Sequence, residues 1–231
     1  MNFLQDRIVC NHIGLAHFNN KTYNENIKWK EKKNFNGCVY GFQQFLPENI
    51  PADSDVYMID MNNDTNQIMG IGLIKKQFRP ENRSRIYDNM EYNRIVIKSP
   101  YYRDRKFLLD KNSTIVEFIE NILFKGYSHL KRSSNMTLSY ERLAYAPPIG
   151  TPFKTKKKKK RIYKCSICGL PKKGHNNCPG KRVEPIRPKY KNCNLCGKSL
   201  KGHSGYRPCE SKKRNIDNIK KVLIYLEKLF I

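Results

Sequence analysis

The chain has 231 residues and 27.2 kDa, with 45 Lys and Arg against 20 Asp and Glu, a formal charge of +25. A composition only 39% hydrophobic argues against a membrane protein, and no apolar run approaches the roughly 20 residues that a spanning helix needs. The first residues show no apolar stretch ending in a small-residue cleavage site, so no signal peptide is read and an intracellular location is expected, where the eight cysteines would be thiols or metal ligands rather than disulfides.

The charge is uneven. Residues 1–150 hold 21 basic and 16 acidic side chains, whereas residues 151–231 hold 24 and 4, together with six of the eight cysteines. This split predicts two units of different physics.

Residues 1–34 are rich in Asn and Lys with few periodic apolar positions, and they read as a mobile or loosely docked arm. From 35 to 145 the pattern is that of a compact α+β domain, expected to be a small, partly closed β-barrel. Strands are predicted at Val39–Phe42, Asp55–Asp60, Gln67–Ile74, Arg85–Tyr87, Arg94–Ile97 and Lys106–Leu109, bounded by Pro, Asn and Asp clusters. Gly70 and Gly72 inside a strand imply a bulge or a close approach of another backbone. Thr114 and Glu117 have capping-box spacing. Ile115, Phe118, Ile119, Ile122 and Leu123 make one helical stripe, with Gly126 at the expected C-cap.

A Pro- and Lys-rich linker occupies 146–162, ending in Lys156, Lys157, Lys158, Lys159, Lys160 and Arg161. Its prolines favour extended backbone and its lysines repel one another, so a flexible segment is expected. The lysine run reads as a nuclear-import signal, a nucleic-acid tether or a solubilising linker, and the sequence does not separate the three.

Residues 163–211 carry a doubled motif. Cys165, Cys168, His175 and Cys178 are followed by Cys193, Cys196, His203 and Cys209, with the first three of each set offset by 28 positions and the fourth by 31. Cys-x2-Cys lets one tight turn present two thiolates to one ion, and three thiolates with one imidazole complete a tetrahedron around Zn²⁺. No ligand position is left open, so two structural Zn²⁺ ions are expected rather than a catalytic metal. The 48 residues from Ile162 to Cys209 contain ten apolar side chains other than cysteine, too few to offset their ordering entropy. Zinc, at roughly 10–16 kcal/mol apparent per site, is enough.

Both segments resemble CCHC zinc knuckles, the modules of retroviral nucleocapsids and many cellular RNA-binding proteins. They depart from the common knuckle in a middle gap of six residues and a final gap of two or five. The resemblance implies binding of single-stranded nucleic acid, with bases stacked on exposed aromatics and phosphates held by basic side chains. The candidates are Tyr163, Tyr190 and Tyr206 for stacking, with packing against the zinc core as the equal alternative. Lys172, Lys173, Lys198, Lys201, Arg207 and the lysine run are the candidates for phosphates. Nothing in their order specifies a base sequence, so low sequence selectivity is expected.

Residues 212–231 form an amphipathic helix with Ile216, Ile219, Leu223, Leu226 and Phe230 on one stripe. It is short for independent stability and is expected to dock on the N-terminal domain or to self-associate. The segments Cys38–Gly41, Ile68–Gly72, Tyr92–Arg94 and Phe124–Arg132 resemble an uncharacterised domain encoded by large nucleocytoplasmic DNA viruses, similar in strand order to the PUA-like superfamily. That resemblance implies a virus-encoded protein of the host nucleus or a cytoplasmic virus factory, with RNA or modified-base recognition in a pocket. Tyr57, Tyr92, Asn93 and Arg94 are its pocket candidates; the alternative is that the tyrosines are core and Asn93-Arg94 close a turn.

No His-Glu-x-x-His, Gly-x-Ser-x-Gly or Gly-x4-Gly-Lys-Ser/Thr motif is present, and no catalytic residue is assigned. The leading expectation is a non-enzymatic, zinc-dependent protein that binds single-stranded RNA or DNA. The alternatives are an adaptor whose knuckles bind a partner protein, and a nucleic-acid-processing enzyme with its site in the N-terminal domain.

Overall fold

The structure, a computed structural model, describes residues 12–76, 84–125, 129–131, 136–151, 153 and 215–231. The chain divides into one unit of Met1–Phe153 with Lys213–Ile231 and a second of Lys154–Lys212. The second unit, with the lysine run and both Cys-Cys-His-Cys sets, lies outside the described residues.

The first unit is mixed α+β. In chain order it runs β1 (His12–Phe18), α1 (Asn20–Lys32), β2 (Cys38–Phe42), β3 (Asp55–Asn62), β4 (Gln67–Lys75), a 3₁₀ turn at Met90–Asn93, β5 (Ile95–Ser99), β6 (Tyr102–Asp104), α2 (Arg105–Phe124), α3 (Tyr140–Tyr145) and α4 (Ile216–Lys228). One sheet has the order β1-β3-β4-β6, with β1 parallel to β3 and the other pairs antiparallel; β2 and β5 make a second, antiparallel pair. Among the described residues these are two separate sheets, and no barrel closes. The chain passes from one sheet to the other at the β5–β6 corner, where Ser99 Oγ donates to Leu73 O (2.5 Å) and Leu73 N to Tyr101 O (3.1 Å).

The larger sheet is covered on both faces. Ile13, Leu15, Tyr57, Ile59, Met61, Ile68 and Ile71 pack with α2, α3 and α4, while Ala16, Phe18, Val56, Met58 and Ile74 pack against the β2–β5 pair. This two-sided burial corrects the arm expected over 1–34: from His12 onward the chain is a strand and a helix. A strand buried on both faces shows no polar alternation, and β1 is such a strand. Its free edge is satisfied by Leu15 N→Met136 O (2.8 Å) and Leu138 N→Ile13 O (2.9 Å). In α1 the buried position is Asn26, whose amide donates to Val39 O (2.8 Å) and Tyr87 Oη (3.0 Å), so an apolar stripe is missing from that helix too.

Two strand predictions fail for local reasons. Residues 106–109 are helical because Asp104 caps the chain there, its carboxylate accepting from Phe107 N at 2.8 Å. Residues 85–87 form no strand; the amides of Ile86 and Tyr87 bond instead to the Asn93 side chain (2.8 and 3.0 Å). The helix expected from Thr114 is the second half of α2. Its cap is Asn112, at φ −166° and ψ 91°, which accepts from Ile115 N at 3.0 Å and breaks the helix in two. The expected Gly126 cap is outside the described residues. The bulge at the glycines lies between Asp60 and Met61.

The C-terminal helix belongs to the first unit. Val222, Tyr225, Leu226 and Leu229 are buried in the core shared with α2; Tyr225 Oη donates to Leu108 O (3.0 Å), Arg103 Nε donates to Leu229 O (2.8 Å), and Phe230 stacks on Tyr57 at 6.0 Å. Asn218, buried among polar partners, donates to Leu143 O (3.0 Å), Ala146 O and Pro147 O (both 3.2 Å) and accepts from Ile149 N (3.2 Å). Asn215 N reaches Ala144 O at 2.8 Å. The boundaries expected at 145 and 212 are thereby corrected: the chain leaves this unit after Phe153 and rejoins it before α4. Leu226→Ala should lower the unfolding free energy of this unit by about 2–5 kcal/mol, read in urea denaturation followed by far-UV dichroism; an unchanged midpoint would show that α4 is not part of the core.

Candidate functional site

The 3₁₀ turn is built by Asn89 and Asn93. Asn89 Oδ1 accepts from Glu91 N (3.0 Å), and Asn93 Nδ2 donates to Tyr87 O (2.7 Å) while its Oδ1 holds the Ile86 and Tyr87 amides. Tyr87 is thus fixed through its backbone by Asn93 and through its hydroxyl by Asn26. Tyr92 stands edge-on to it at 6.0 Å and keeps 37% of its surface exposed. Gly41 of β2 permits this approach: a Cβ there would lie 2.1 Å from Tyr92 O and 2.7 Å from the Tyr87 ring.

These residues wall a cleft of about 410 Å³ between β2, the end of β1 and the start of α1. Phe18, Tyr40, Phe42, Tyr87 and Tyr92 supply aromatic surface, and His17, Asn19, Thr22, Gln43, Gln44 and Asn63 supply polar groups. No Asp, Glu, Lys or Arg lines it. Asn63 Oδ1 is buried without a hydrogen-bond partner among the described residues. Aromatic walls, side-chain amides and no formal charge suit a neutral, planar, hydrogen-bonding group.

Behind Tyr40 lies a buried polar cluster between the two sheets. A Cβ at Gly72 would meet Cys38 Sγ at 2.5 Å and Tyr40 Oη at 2.6 Å, and one at Gly70 would meet Tyr102 Oη at 2.1 Å, so the close approach expected at these glycines is made by side chains rather than by backbone. Asp60 is 4% exposed. Burial pushes its carboxyl up to about 7, opposed by the Tyr40 hydroxyl, the Lys30 ammonium and the Tyr102 hydroxyl. The hydroxyls act at short range, yet neither Asp60 Oδ1 nor Tyr40 Oη completes a hydrogen bond of good geometry. Burial also pushes the Cys38 thiol up to about 12 and raises Tyr40, Tyr87 and Tyr102. A thiol held in its neutral form is a packing group rather than a nucleophile.

The four pocket candidates separate. Tyr92 lines the cleft; Tyr57 is core, stacked on Phe230; Asn93 is buried in the turn it closes; and Arg94 is exposed, paired with Glu91 at 2.7 Å. The sequence did not point to Tyr87, Phe18, Tyr40 or Asn63. The one signal for them is Gly41, a glycine inside a strand that marks a close approach. The eight expected zinc ligands and the expected nucleic-acid contacts Tyr163, Tyr190, Tyr206, Lys172, Lys173, Lys198, Lys201, Arg207 and Lys156–Arg161 lie outside the described residues. Among the described residues no group of three or more His, Cys, Asp or Glu side chains could hold a metal, and no helix is long and apolar enough to cross a membrane. No family model matches the chain, and neither a curated protein nor a solved structure is significantly similar to it.

Asp60 makes stability depend on pH. Its folded-state pKa lies above the ordinary carboxyl value near 4, so its favourable contribution is complete below about pH 4 and is lost as pH rises through about 7. Asp60→Asn cannot ionise. Its stability relative to the wild type should rise between about pH 4 and 7 and level off above that, by on the order of 4 kcal/mol at most. Parallel urea midpoints for the two proteins across that range would overturn the assignment.

Proposed function

We propose that this chain is a non-enzymatic, zinc-dependent nucleic-acid-binding protein that takes single-stranded RNA or DNA with low sequence selectivity. The observation that carries the reading is the pair of Cys-Cys-His-Cys sets, repeated at an offset of 28 within residues 154–214, where 21 basic side chains face 2 acidic ones. Cys165, Cys168, His175 and Cys178 would hold one Zn²⁺, and Cys193, Cys196, His203 and Cys209 the other. Bound zinc supplies cross-linking in place of a hydrophobic core. The lysines and arginines between and beyond the ligands then face a polyanion, and low selectivity follows from phosphate contacts that carry no base information.

The cleft of the first unit adds the selective element in this reading. An unstacked base has the planarity, neutrality and hydrogen-bonding edge that Tyr92, Tyr87 and Asn63 suit. With it goes the partly closed barrel, supported by the β5–β6 corner. A virus-encoded protein acting in the host nucleus or a cytoplasmic virus factory fits the Asn- and Lys-rich composition of an AT-rich genome.

His175→Ala should reduce zinc from two ions to one per chain and unfold only its own module, read by metal analysis and dichroism; full zinc content would show that the ligand is misassigned. Neutralising about six phosphates of a single strand should give log K against log salt a slope near −4, and a flat response would remove the electrostatic basis. Tyr92→Ala should weaken binding of a single-stranded oligonucleotide by about 1–3 kcal/mol with an unchanged unfolding midpoint; wild-type affinity in that variant would show that the cleft takes no base.

A further inference from the structure

We propose that the groove between the break in α2 and the outer face of α4 is a second contact surface for the phosphates of a single-stranded nucleic acid, formed by Lys111, Lys221 and Lys228. It lies wholly within the first unit and is separate from the zinc motifs and the aromatic cleft. It rests on the polyanion reading above.

The groove exists because α2 is not continuous. Asn112 leaves helical geometry and caps the following segment, whose first-turn residues Thr114 and Ile115 line the opening together with residues of α4. That turn presents amides without intrahelical acceptors and the positive end of the helix dipole. On α4, Lys221, Ile224 and Lys228 follow the 3–4 spacing that keeps them on one side, away from buried Val222 and Leu226. The resulting space is about 500 Å³.

Three lysines from two elements line it. No Asp or Glu lines the groove, although both helices carry acids elsewhere, Asp110 and Glu117 on α2 and Asp217 and Glu227 on α4. Among the described residues none of the three lysines forms an ion pair. Lys111 lies 5.3 Å over the Phe107 ring, a contact that leaves its charge uncompensated. Beside the lysines, Ile149, Ile224 and Tyr225 add an apolar strip. Alternating charge and apolar surface matches the alternation of phosphate with sugar and base along a single strand.

Chain connectivity favours this occupant over an acidic peptide or an anionic membrane. Ile149 lines the groove four residues before Phe153, where the strongly basic segment begins, and the chain rejoins at Asn215, directly ahead of α4. A strand gripped by that tethered segment is held at high effective concentration near its anchors, so three individually weak lysine contacts become occupied together.

The test compares the full, zinc-loaded chain with a Lys111→Gln, Lys221→Gln, Lys228→Gln variant. A fluorescent single-stranded oligonucleotide of mixed sequence is titrated at several salt concentrations. All three lysines are exposed, and an unchanged unfolding midpoint checks the fold. Loss of about three phosphate contacts should make the slope of log K against log salt shallower by about 2 and weaken binding about 10–100-fold near 0.1 M salt. The corresponding triple Lys→Arg variant should bind as the wild type does, and ultraviolet crosslinks should map to peptides containing Tyr225. A Gln variant with wild-type slope and affinity would overturn the groove alone, provided that Cys165→Ser with Cys193→Ser still abolishes binding. A wild-type chain that ignores the oligonucleotide and takes an acidic peptide or anionic vesicles instead would overturn both this proposal and the reading on which it rests.

Discussion

The packing of α4 into the core of the first unit is the constraint from which the rest of the architecture follows. Val222, Tyr225, Leu226 and Leu229 cover α2 and one face of the larger sheet. A helix of 13 residues is marginal alone in water, so its order comes from this burial. Asn218 then does for the backbone what the leucines do for the apolar surface. It satisfies three carbonyls and an amide of residues 143–149 that tight irregular turns would otherwise leave without partners. With the chain held at Phe153 and again at Asn215, the strongly basic segment is an excursion from a closed unit. In the proposed reading the two would draw on separate sources of stability, metal coordination in the segment and apolar burial in the unit.

The second organising feature is a sheet buried on both faces. Such a sheet has no solvent side on which to place polar residues, so a polar group in its middle is buried. Asp60 is the extreme case: a carboxyl between two sheets, surrounded by the hydroxyls of Tyr40 and Tyr102 with Lys30 near, and kept protonated to near neutral pH by lack of solvent. The glycines opposite it are a steric requirement, since any side chain at Gly70 or Gly72 would collide with Tyr102, Tyr40 or Cys38. The same logic recurs at Gly41, where the absent side chain lets the Tyr87–Tyr92 segment close over β2 and form a wall of the cleft.

Much of the strand layout was legible in the sequence. The apolar cores of β2, β3, β4 and β5 stand between clear turn residues, and the stripe Ile115–Leu123 marks the second half of α2. What failed did so where a single polar side chain overrides the pattern. Asp104 turns an apparent strand into a helix, Asn112 breaks that helix three residues before Ile115, and Asn93 takes the amides of 86–87 out of any ladder. The residues of β1 were invisible because a strand covered on both sides lacks alternation, and those of α1 because its buried anchor is an asparagine. Of the cleft, Tyr92 was found and its neighbours were not, since they come from β1, β2, the segment after β3 and a loop that only folding assembles.

Local chemistry alone carries the expectation of zinc ligands: Cys-x2-Cys followed by His and Cys is a complete donor set within 14 or 17 residues, written twice, in the part of the sequence that holds the excess of positive charge. An amphipathic C-terminal helix was equally plain, because its stripe lies within its own 3.6-residue period. The sequence could not decide where that helix docks, that the basic segment is an insertion rather than a tail, or that Lys111 shares a groove with Lys221 and Lys228 across 110 positions of chain. Those are long-range outcomes, set by which apolar faces find one another and which buried polar groups find partners, and no local period records them.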